Sequence, residues 1–370
     1  MSTKRTTTTR RSIEVEYWVI DDDGRLTDPN ALVDAAAGVE REFVRPLLEI
    51  KTTPCGSTAE LRTELFDRIG RVLDRADDLG MGLVPLSTPI AAETVRDRPC
   101  DRTDVQDRVL GADFEYVRHC AGTHVHVEQD PGGEIDQLNA LTALDPALAL
   151  VNSSPYYRGE RLADGARSKL YRRLAYERLP HQGRLWRYTT DTDEWTRRLE
   201  RRYEEFVTAA MDAGVERRTV ESCFDPESAV WTPVQLREEF GTVEWRSPDA
   251  ALPSQVVRLV DGVVDVVEAV RDVGVRIGDR TGTLTDEAVV IPAFDAVLGY
   301  VDAAMREGLD NDAVRSYLGR MGFDVTAFDP LSRGFDATEP VSPEQARRLR
   351  LDYAERLASD VRHARSLNAD

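Results

Sequence analysis

The chain has 370 residues, enough to bury a sizeable core as one large domain or as a main domain with a helical addition. Its 67 acidic and 48 basic residues give a formal net charge of −19, which opposes attraction to nucleic acid or anionic membrane surfaces. We expect neither a membrane span nor a secretion signal, and four separated cysteines suggest neither a zinc knuckle nor a disulfide framework. We therefore expect a cytoplasmic protein that binds neither nucleic acid nor membrane, with an oligomeric state that the sequence leaves open.

Nearly all of the positive charge is arginine, because Lys4, Lys51 and Lys169 are the only lysines. An acidic surface with so few lysines predicts a halophilic protein from a salt-rich cytoplasm, as in haloarchaea, where screening makes the self-repulsion tolerable. A GC-rich genome that prefers arginine codons is the alternative explanation.

The first 253 residues alternate between strand and helix patterns, after a Thr- and Arg-rich tail at 1–11 that we expect to be disordered. Strands are predicted over 13–20, 46–53, 82–86, 122–127 and 242–247, and helices over 57–79, from 134, from 145 and over 193–213. Ser57 and Glu60 form a capping box, and Gly80 ends that helix. Residues 91–111 lack a clean period and are predicted to form a loop that contains a short helix and covers a site.

The remaining residues, 254–370, are predicted to be mostly helical and to pack on the domain formed by 12–253. Helices are expected over 254–274, 292–308, 312–321 and 342–364, the last beginning with a cap formed by Ser342, Pro343 and Gln345. The fold class is therefore α+β, a sheet backed by helices with a helical C-terminal third.

Several predicted strands carry polar side chains at alternate positions, with apolar side chains between them. Side chains at i and i+2 share a face, so one face of a common sheet would present the following residues. They are Glu14, Glu16, Glu49, Lys51, His124, His126, Glu244 and Arg246. Carboxylates crowded together repel unless cations lie between them, and Mg²⁺ prefers such oxygen ligands. Two such ions can clamp phosphates.

Each pattern alone has an ordinary explanation. A Glu-x-Glu strand is most often solvated, Glu-x-Arg is most often a surface ion pair, and His-x-His also occurs in metallohydrolases. The chain has no phosphate-binding glycine motif and no nucleophile motif, which disfavours a glycine-rich nucleotide cradle and covalent catalysis. Carboxylate-bound metal ions and arginines would then have to hold any nucleotide.

Six segments in order resemble the glutamate-cysteine ligase type 2 group, also called the carboxylate-amine ligase family. They are residues 13–17 (Ile-Glu-Val-Glu-Tyr), 48–55, 122–127 (Gly-Thr-His-Val-His-Val), 152–159, the Tyr171-Arg172 pair and 242–249. The resemblance implies a glutamine synthetase-like fold, in which a curved antiparallel sheet forms a funnel. It also implies an ATP-dependent ligase that phosphorylates a carboxylate, after which an amine attacks, with glutamate and cysteine as the default substrates.

The resemblance also implies the roles of particular residues. Mg²⁺ would be held by Glu14, Glu16, Glu49, His124 and Glu244, with His124 preferred over His126. Arg246 and Arg172 would act in catalysis, and with Lys51 they would bind ATP.

The chain departs from the family pattern at three places. Leu86-Ser87-Thr88-Pro89 lacks the usual histidine, Glu128 replaces a small residue, and Val15 is the central residue of the usual acidic triplet. The first two departures concern the acid and amine pockets more than the phosphoryl chemistry, and Val15 faces away, so metal binding should survive. A paralogue that is non-catalytic or acts on another substrate is therefore an alternative. A metallohydrolase built on His124 and His126 is a third hypothesis.

Overall fold

A computed structural model of the chain describes residues 8–335 and 340–367. Of the tail predicted to be disordered, residues 1–7 lie outside this part, and Arg11 already begins the first strand. Within the described ranges, no helix combines the length and the apolar composition needed to cross a bilayer.

Strands and helices alternate through the first two thirds of the chain. The strands are β1 (Arg11–Asp21), β2 (Val39–Arg41), β3 (Leu47–Lys51), β4 (Met81–Val84), β5 (Thr123–Glu128), β6 (Tyr156–Tyr157), β7 (Glu160–Arg161), β8 (Val234–Arg237), β9 (Thr242–Trp245), β10 (Val275–Ile277), β11 (Thr283–Leu284) and β12 (Val289–Ile291). The helices are α1 (Thr58–Leu79), α2 (Asp101–Leu110), α3 (Phe114–Arg118), α4 (Glu134–Leu144), α5 (Ala166–Lys169), α6 (Thr192–Asp212), α7 (Arg217–Cys223), α8 (Pro226–Ala229), α9 (Pro253–Val273), α10 (Phe294–Glu307), α11 (Asp312–Arg320) and α12 (Pro343–Leu367). A 3₁₀ helix (Asp145–Val151) follows α4, and a π-helical turn (Leu170–Leu174) follows α5.

The central element is an antiparallel sheet, with strand order β2-β3-β1-β5-β9-β8 and with β4 also paired to β1. Alternating residues of β1 separate cleanly by burial: Ile13, Val15 and Tyr17 are fully buried, whereas Glu14 and Glu16 on the other face are partly exposed. This period of two gives the sheet one apolar face and one polar face. The predicted α+β class is confirmed.

Helices α1, α4, α9 and α12 pack together against the apolar face and share one core with it. The ends of α1 match the sequence signals, because the Ser57 hydroxyl accepts the Glu60 N–H at 3.1 Å and Gly80 adopts φ +64°. Ser342 and Gln345 cap α12 reciprocally through 2.9 and 3.3 Å hydrogen bonds. The C-terminal helices are thus part of the layer that supports the sheet.

A second, smaller apolar cluster lies on the polar side of the sheet. It is formed mainly by α2, α3, α6, α7 and the π-helical turn, and its buried members include Phe114, Tyr171 and Phe206. These helices cover the polar face without filling it, so a cavity remains between the two layers.

The short elements differ most from the sequence-based predictions. The short helix expected within the loop at 91–111 is α2, whereas β2, β8 and β10–β12 were not predicted. Each of these strands has two to four residues, too few for a hydrophobic period to stand out, and its pairing partner fixes its conformation.

The shared core yields a stability prediction on α1. Leu65 is fully buried whereas Leu79, on the same helix, is 37% exposed. We expect Leu65→Ala to lower the free energy of unfolding by about 2–5 kcal/mol, because it removes buried methyl groups and leaves a cavity. Leu79→Ala should change it by about 0.5 kcal/mol or less. Urea denaturation at constant salt measures both, and equal effects would contradict this description of the core.

Candidate functional site

Strand register places the predicted polar residues next to one another. Glu14 pairs with His124 on β5 and with Lys51 on β3, and Glu16 pairs with Glu49. On the other side of β5, His126 pairs with Glu244 of β9. Since directly paired residues point to the same face, four strands contribute side chains to one surface.

This surface forms the floor of a cavity of about 300 Å³. The polar lining includes Glu14, Glu16, Glu42, Glu49, Lys51, Arg102, His124, His126, Arg237, Glu244 and Arg246. The opposite wall comes from the second apolar cluster and includes Leu110, Phe114, Tyr171, Tyr176, Phe206 and Trp231. Charged groups on the floor thus face an aromatic wall that limits access of water.

Three carboxylates, those of Glu16, Glu42 and Glu49, lie at one end of the floor with oxygens within 4.8 Å of one another. The Gly122 N–H donates to Glu16 at 2.6 Å, and the Lys51 ammonium lies 2.9 Å from Glu49. The backbone N–H of Phe43 donates to Glu42 at 3.3 Å.

Burial and mutual repulsion raise the pKa values of all three carboxyl groups. Burial and then the charge of Glu49 raise the pKa of Glu16 to about 7. Burial and then the charge of Glu16 raise the pKa of Glu42 to about 8. Burial and then the charge of Glu42 raise the pKa of Glu49 to about 9. The cluster therefore favours protonation, or a cation that takes the place of the protons.

Glu14, His124, His126 and Glu244 form the other end of the floor. The His124 Nδ1 lies 3.1 Å from Glu14 and 3.3 Å from Glu244, and the His126 Nε2 lies 3.8 Å from each of these carboxylates. Although burial opposes it, the hydrogen bond from His124 and the charge of both histidines lower the pKa of Glu14. Burial likewise opposes ionisation of Glu244, but Arg246, the histidines and Arg237 lower its pKa to about 2.

Two arginines hold Glu244 from either side. Arg237 of β8 contacts one carboxylate oxygen at 2.8 Å, and the Arg246 Nε lies 3.2 Å from the other. The Arg246 guanidinium also lies 5.7 Å from the centre of the Trp231 ring, in a cation–π contact that fixes its orientation. Both guanidinium groups line the cavity, where they can reach an anion above the sheet.

The donors present fit a hard divalent cation. In three overlapping groups, which we call the cation-type groups, the possible ligand atoms lie within 4.8 Å of one another. They are Glu16, Glu42 and Glu49; Glu14, Glu49 and His124; and Glu14, His126 and Glu244. The His126 Nε2 is buried and lacks a hydrogen-bond partner, so it can accept a metal ion. Carboxylate oxygens with a minority of imidazoles suit Mg²⁺ or Mn²⁺.

The two histidines fall in different groups, so they do not act together as one His-x-His metal site in this arrangement. The preference for His124 over His126 as the ligand stays a prediction.

Arg172 does not line this cavity. It is 4% exposed, its guanidinium lies 2.8 Å from the buried carboxylate of Asp145, and it donates to the Ser247 hydroxyl at 2.8 Å. The Trp245 indole N–H also donates to Asp145 at 2.9 Å. Arg172 is thus connected to β9 through Asp145, and to the residue Ser247 that follows this strand. Its predicted contact with phosphate stays a prediction.

Sequence reasoning missed Glu42 and Arg237 as well as the aromatic wall. Glu42 follows the three-residue strand β2, outside any alternating pattern, so no local signal marked it. Arg237 could have been found, because Val234 and Leu236 alternate with Gln235 and Arg237. In the segment 86–89, which departs from the family pattern, Thr88 is buried and its hydroxyl is hydrogen-bonded to the Ser154 hydroxyl at 2.7 Å. Thr88 does not line the cavity.

The fold and the cavity floor together define an α+β protein whose antiparallel sheet carries a cluster of carboxylates and histidines suited to bind cations. Residues 13–326 match the glutamate-cysteine ligase family 2 (GCS2), and the chain belongs to this family.

Known relatives are distant. One in Rhodospirillum rubrum, whose name places it in the glutamate-cysteine ligase 2 group, is 28% identical over 254 residues, 64% of this chain and 59% of the relative. The glutamate-cysteine ligase of Natronomonas pharaonis is 26% identical over 279 residues, 69% of this chain and 68% of the relative. The chain spans about three fifths of the length of the first curated relatives that it matches.

A solved structure, the bifunctional glutathione synthetase of Pasteurella multocida, has a TM-score of 0.54 against this chain at 15% identity. The likeness covers 95% of this chain and 52% of that one. At this identity the likeness shows a shared fold.

Arg172 and its neighbour Arg173 allow the stability contribution of a buried ion pair to be compared with that of a surface ion pair. We expect Arg172→Gln to lower the free energy of unfolding by about 3–5 kcal/mol, because Asp145 would keep a buried, unpaired charge. Arg173 pairs with Asp302 at the surface, so Arg173→Gln should cost about 1 kcal/mol or less. Urea denaturation measures both, and an Arg172→Gln variant of unchanged stability would refute the structural role.

The carboxylate cluster predicts a dependence of stability on pH. Between pH 7 and 9 the folded state retains protons on Glu42 and Glu49 that unfolded carboxyl groups, with a pKa near 4.5, have lost. Because the folded state then binds more protons, the stability of the metal-free protein should fall as the pH rises. Added Mg²⁺ should reduce that fall, because it favours the ionised carboxylates. Urea denaturation at several pH values, with EDTA or with Mg²⁺, measures it; equal slopes would contradict cation binding here.

Proposed function

We propose that the chain is an ATP-dependent carboxylate-amine ligase. The proposal rests on three overlapping cation-type groups that lie on one face of the sheet, next to Arg237 and Arg246, in a member of this family. Such an arrangement suits phosphoryl transfer, in which catalysis depends on positioning and on stabilising charge spread over phosphoryl oxygens.

Mg²⁺ is the ion that we assign to the floor. Glu14, Glu16, Glu42, Glu49, His124 and Glu244 would hold it, and His126 offers a further donor. When bound, it would neutralise the negative charge of the ATP phosphates and favour the ionised form of the carboxylates.

Arginines and the lysine supply the remaining positive charge. Arg246 is oriented by Trp231 and Glu244, and Arg237 is oriented by Glu227 at 3.0 Å and by Glu244. Both can bind phosphoryl oxygens through charge-assisted hydrogen bonds. Lys51 is surrounded by Glu14, Glu40 and Glu49, so it serves first to hold these carboxylates together.

The reaction proceeds in two displacements. A carboxylate oxygen of the acid attacks the γ-phosphorus of ATP, and ADP leaves. The amine nitrogen then attacks the acyl carbon, inorganic phosphate leaves, and the amine loses a proton. The aromatic wall protects the acyl phosphate from water between the two steps. Glutamate and cysteine, which would give γ-glutamylcysteine, are the default pair that the family suggests.

The direct test is Mg²⁺-dependent ADP release in concentrated potassium chloride, with a panel of acids supplied alone and then with amines. We expect release that requires an acid and an amine together. Glu14→Gln should lower turnover about 100-fold or more, because it removes a charged donor shared by two of the cation-type groups.

The matched control is Glu355→Gln. Glu355 is exposed on α12 and lies outside the cavity lining, so its loss should leave turnover unchanged. A silent wild-type protein across the panel would reject the ligase assignment in favour of a non-catalytic paralogue. A Glu14→Gln variant with unchanged turnover would reject the cation-binding role assigned to Glu14.

A further inference from the structure

The guanidinium of Arg167, on α5, is buried outside the cavity lining and has no carboxylate partner. Arg167 is 2% exposed. Among residues 8–335 and 340–367, no carboxylate forms an ion pair with it, and its Nε has no hydrogen-bond partner. A buried cation without an ion pair is costly, and an apolar side chain of similar length would fill the same space without that cost. Packing alone therefore does not account for an arginine at this position.

Two routes connect Arg167 with Arg246 in the cavity. Through the backbone, both terminal nitrogens of Arg167 donate to the Arg246 carbonyl at 3.2 Å, and one of them also donates to the Ser247 carbonyl at 3.0 Å. Through the side chains, the Arg167 guanidinium lies 5.0 Å from the centre of the Tyr171 ring, which lies 4.4 Å from the Trp231 ring. The Arg246 guanidinium in turn lies 5.7 Å from the centre of the Trp231 ring. Contacts that begin at Arg167 therefore hold both the backbone and the side chain of Arg246.

We propose that Arg167 is a positioning residue, which fixes the Arg246 guanidinium where phosphoryl oxygens bind. The inference rests on the proposed function, in which Arg246 binds those oxygens. A free arginine side chain loses rotamer freedom when it binds an anion, whereas a side chain already held by its surroundings loses little. A guanidinium fixed in advance is also what electrostatic stabilisation of a transition state requires.

A double-mutant cycle on nucleotide binding tests the inference. The full chain is titrated calorimetrically with a non-hydrolysable ATP analogue and Mg²⁺ in concentrated potassium chloride. Arg167→Lys keeps the charge but loses the planar fork that donates to two carbonyls and stacks on Tyr171. We expect Arg167→Lys and Arg246→Gln each to weaken binding about tenfold. The double variant should bind no more weakly than Arg246→Gln alone, because Arg167 acts through Arg246.

Arg350→Gln is the control for the loss of a buried arginine. Arg350 lies on α12, is 1% exposed, pairs with Glu93 and does not line the cavity. A purely structural role would lower the folded fraction, and with it the binding stoichiometry, but would leave the affinity of the folded molecules unchanged. We expect that result for Arg350→Gln and a reduced affinity for Arg167→Lys.

Tyr171→Leu provides a second measurement should Arg167→Lys fail to fold. It removes the ring that lies between Arg167 and Trp231 but keeps an apolar side chain. It should weaken nucleotide binding in the wild-type background and have no further effect in the Arg246→Gln background.

Two outcomes would overturn the inference. One is a nucleotide affinity that Arg167→Lys leaves unchanged. The other is a double variant in which the effects of Arg167→Lys and Arg246→Gln multiply. That result would point instead to Gly122, which lies against the Arg167 guanidinium and donates to Glu16 at 2.6 Å. A wild-type protein that binds no nucleotide would reject the proposed function, and this inference with it.

Discussion

Electrostatic repulsion among carboxylates on one face of a sheet is the constraint on which the rest of the structure depends. Glu14, Glu16, Glu42, Glu49 and Glu244 all line one cavity, and the packing around them excludes much of the water that would screen them. Histidines and arginines stabilise the ionised form at the Glu14 and Glu244 end, whereas Glu16, Glu42 and Glu49 at the other end are contacted by Lys51 and by the backbone N–H groups of Gly122 and Phe43. This difference in pairing explains why the pKa values of the two ends shift in opposite directions.

Such an arrangement needs a stiff support. The apolar face of β1 packs on the same core as α1, α9 and α12 and holds the strands in register. Where β5 begins and β9 ends, the buried Arg167 guanidinium donates to the carbonyls of Arg246 and Ser247. A Cβ on Gly122 would overlap this guanidinium, so glycine is required where β5 begins. Acidic side chains can therefore stay close together because the backbone beneath them is tightly fixed.

Local sequence patterns predicted the parts of the site that depend on local geometry. The alternation in β1 and β5 is visible in a few residues, and antiparallel pairing then brings Glu14 to His124. Glu42 escaped prediction because it follows a three-residue strand whose position depends on its partner strand. Arg237, by contrast, lies in a local alternation that could have predicted it. For Arg172 the family resemblance suggested phosphate binding, whereas its contact with Asp145 depends on packing between distant segments and has no local signal. Cavities formed between layers leave no periodic signal in the sequence.

The central claim is that the carboxylate face of the sheet holds divalent cations. Anomalous diffraction from crystals soaked in Mn²⁺ with an ATP analogue tests it most directly, because Mn²⁺ accepts the same oxygen-rich ligands as Mg²⁺. We expect an anomalous peak within coordination distance of Glu14 and either Glu49 or Glu244, with nucleotide phosphates on its open side. Full occupancy of the nucleotide without a peak on this face would contradict it.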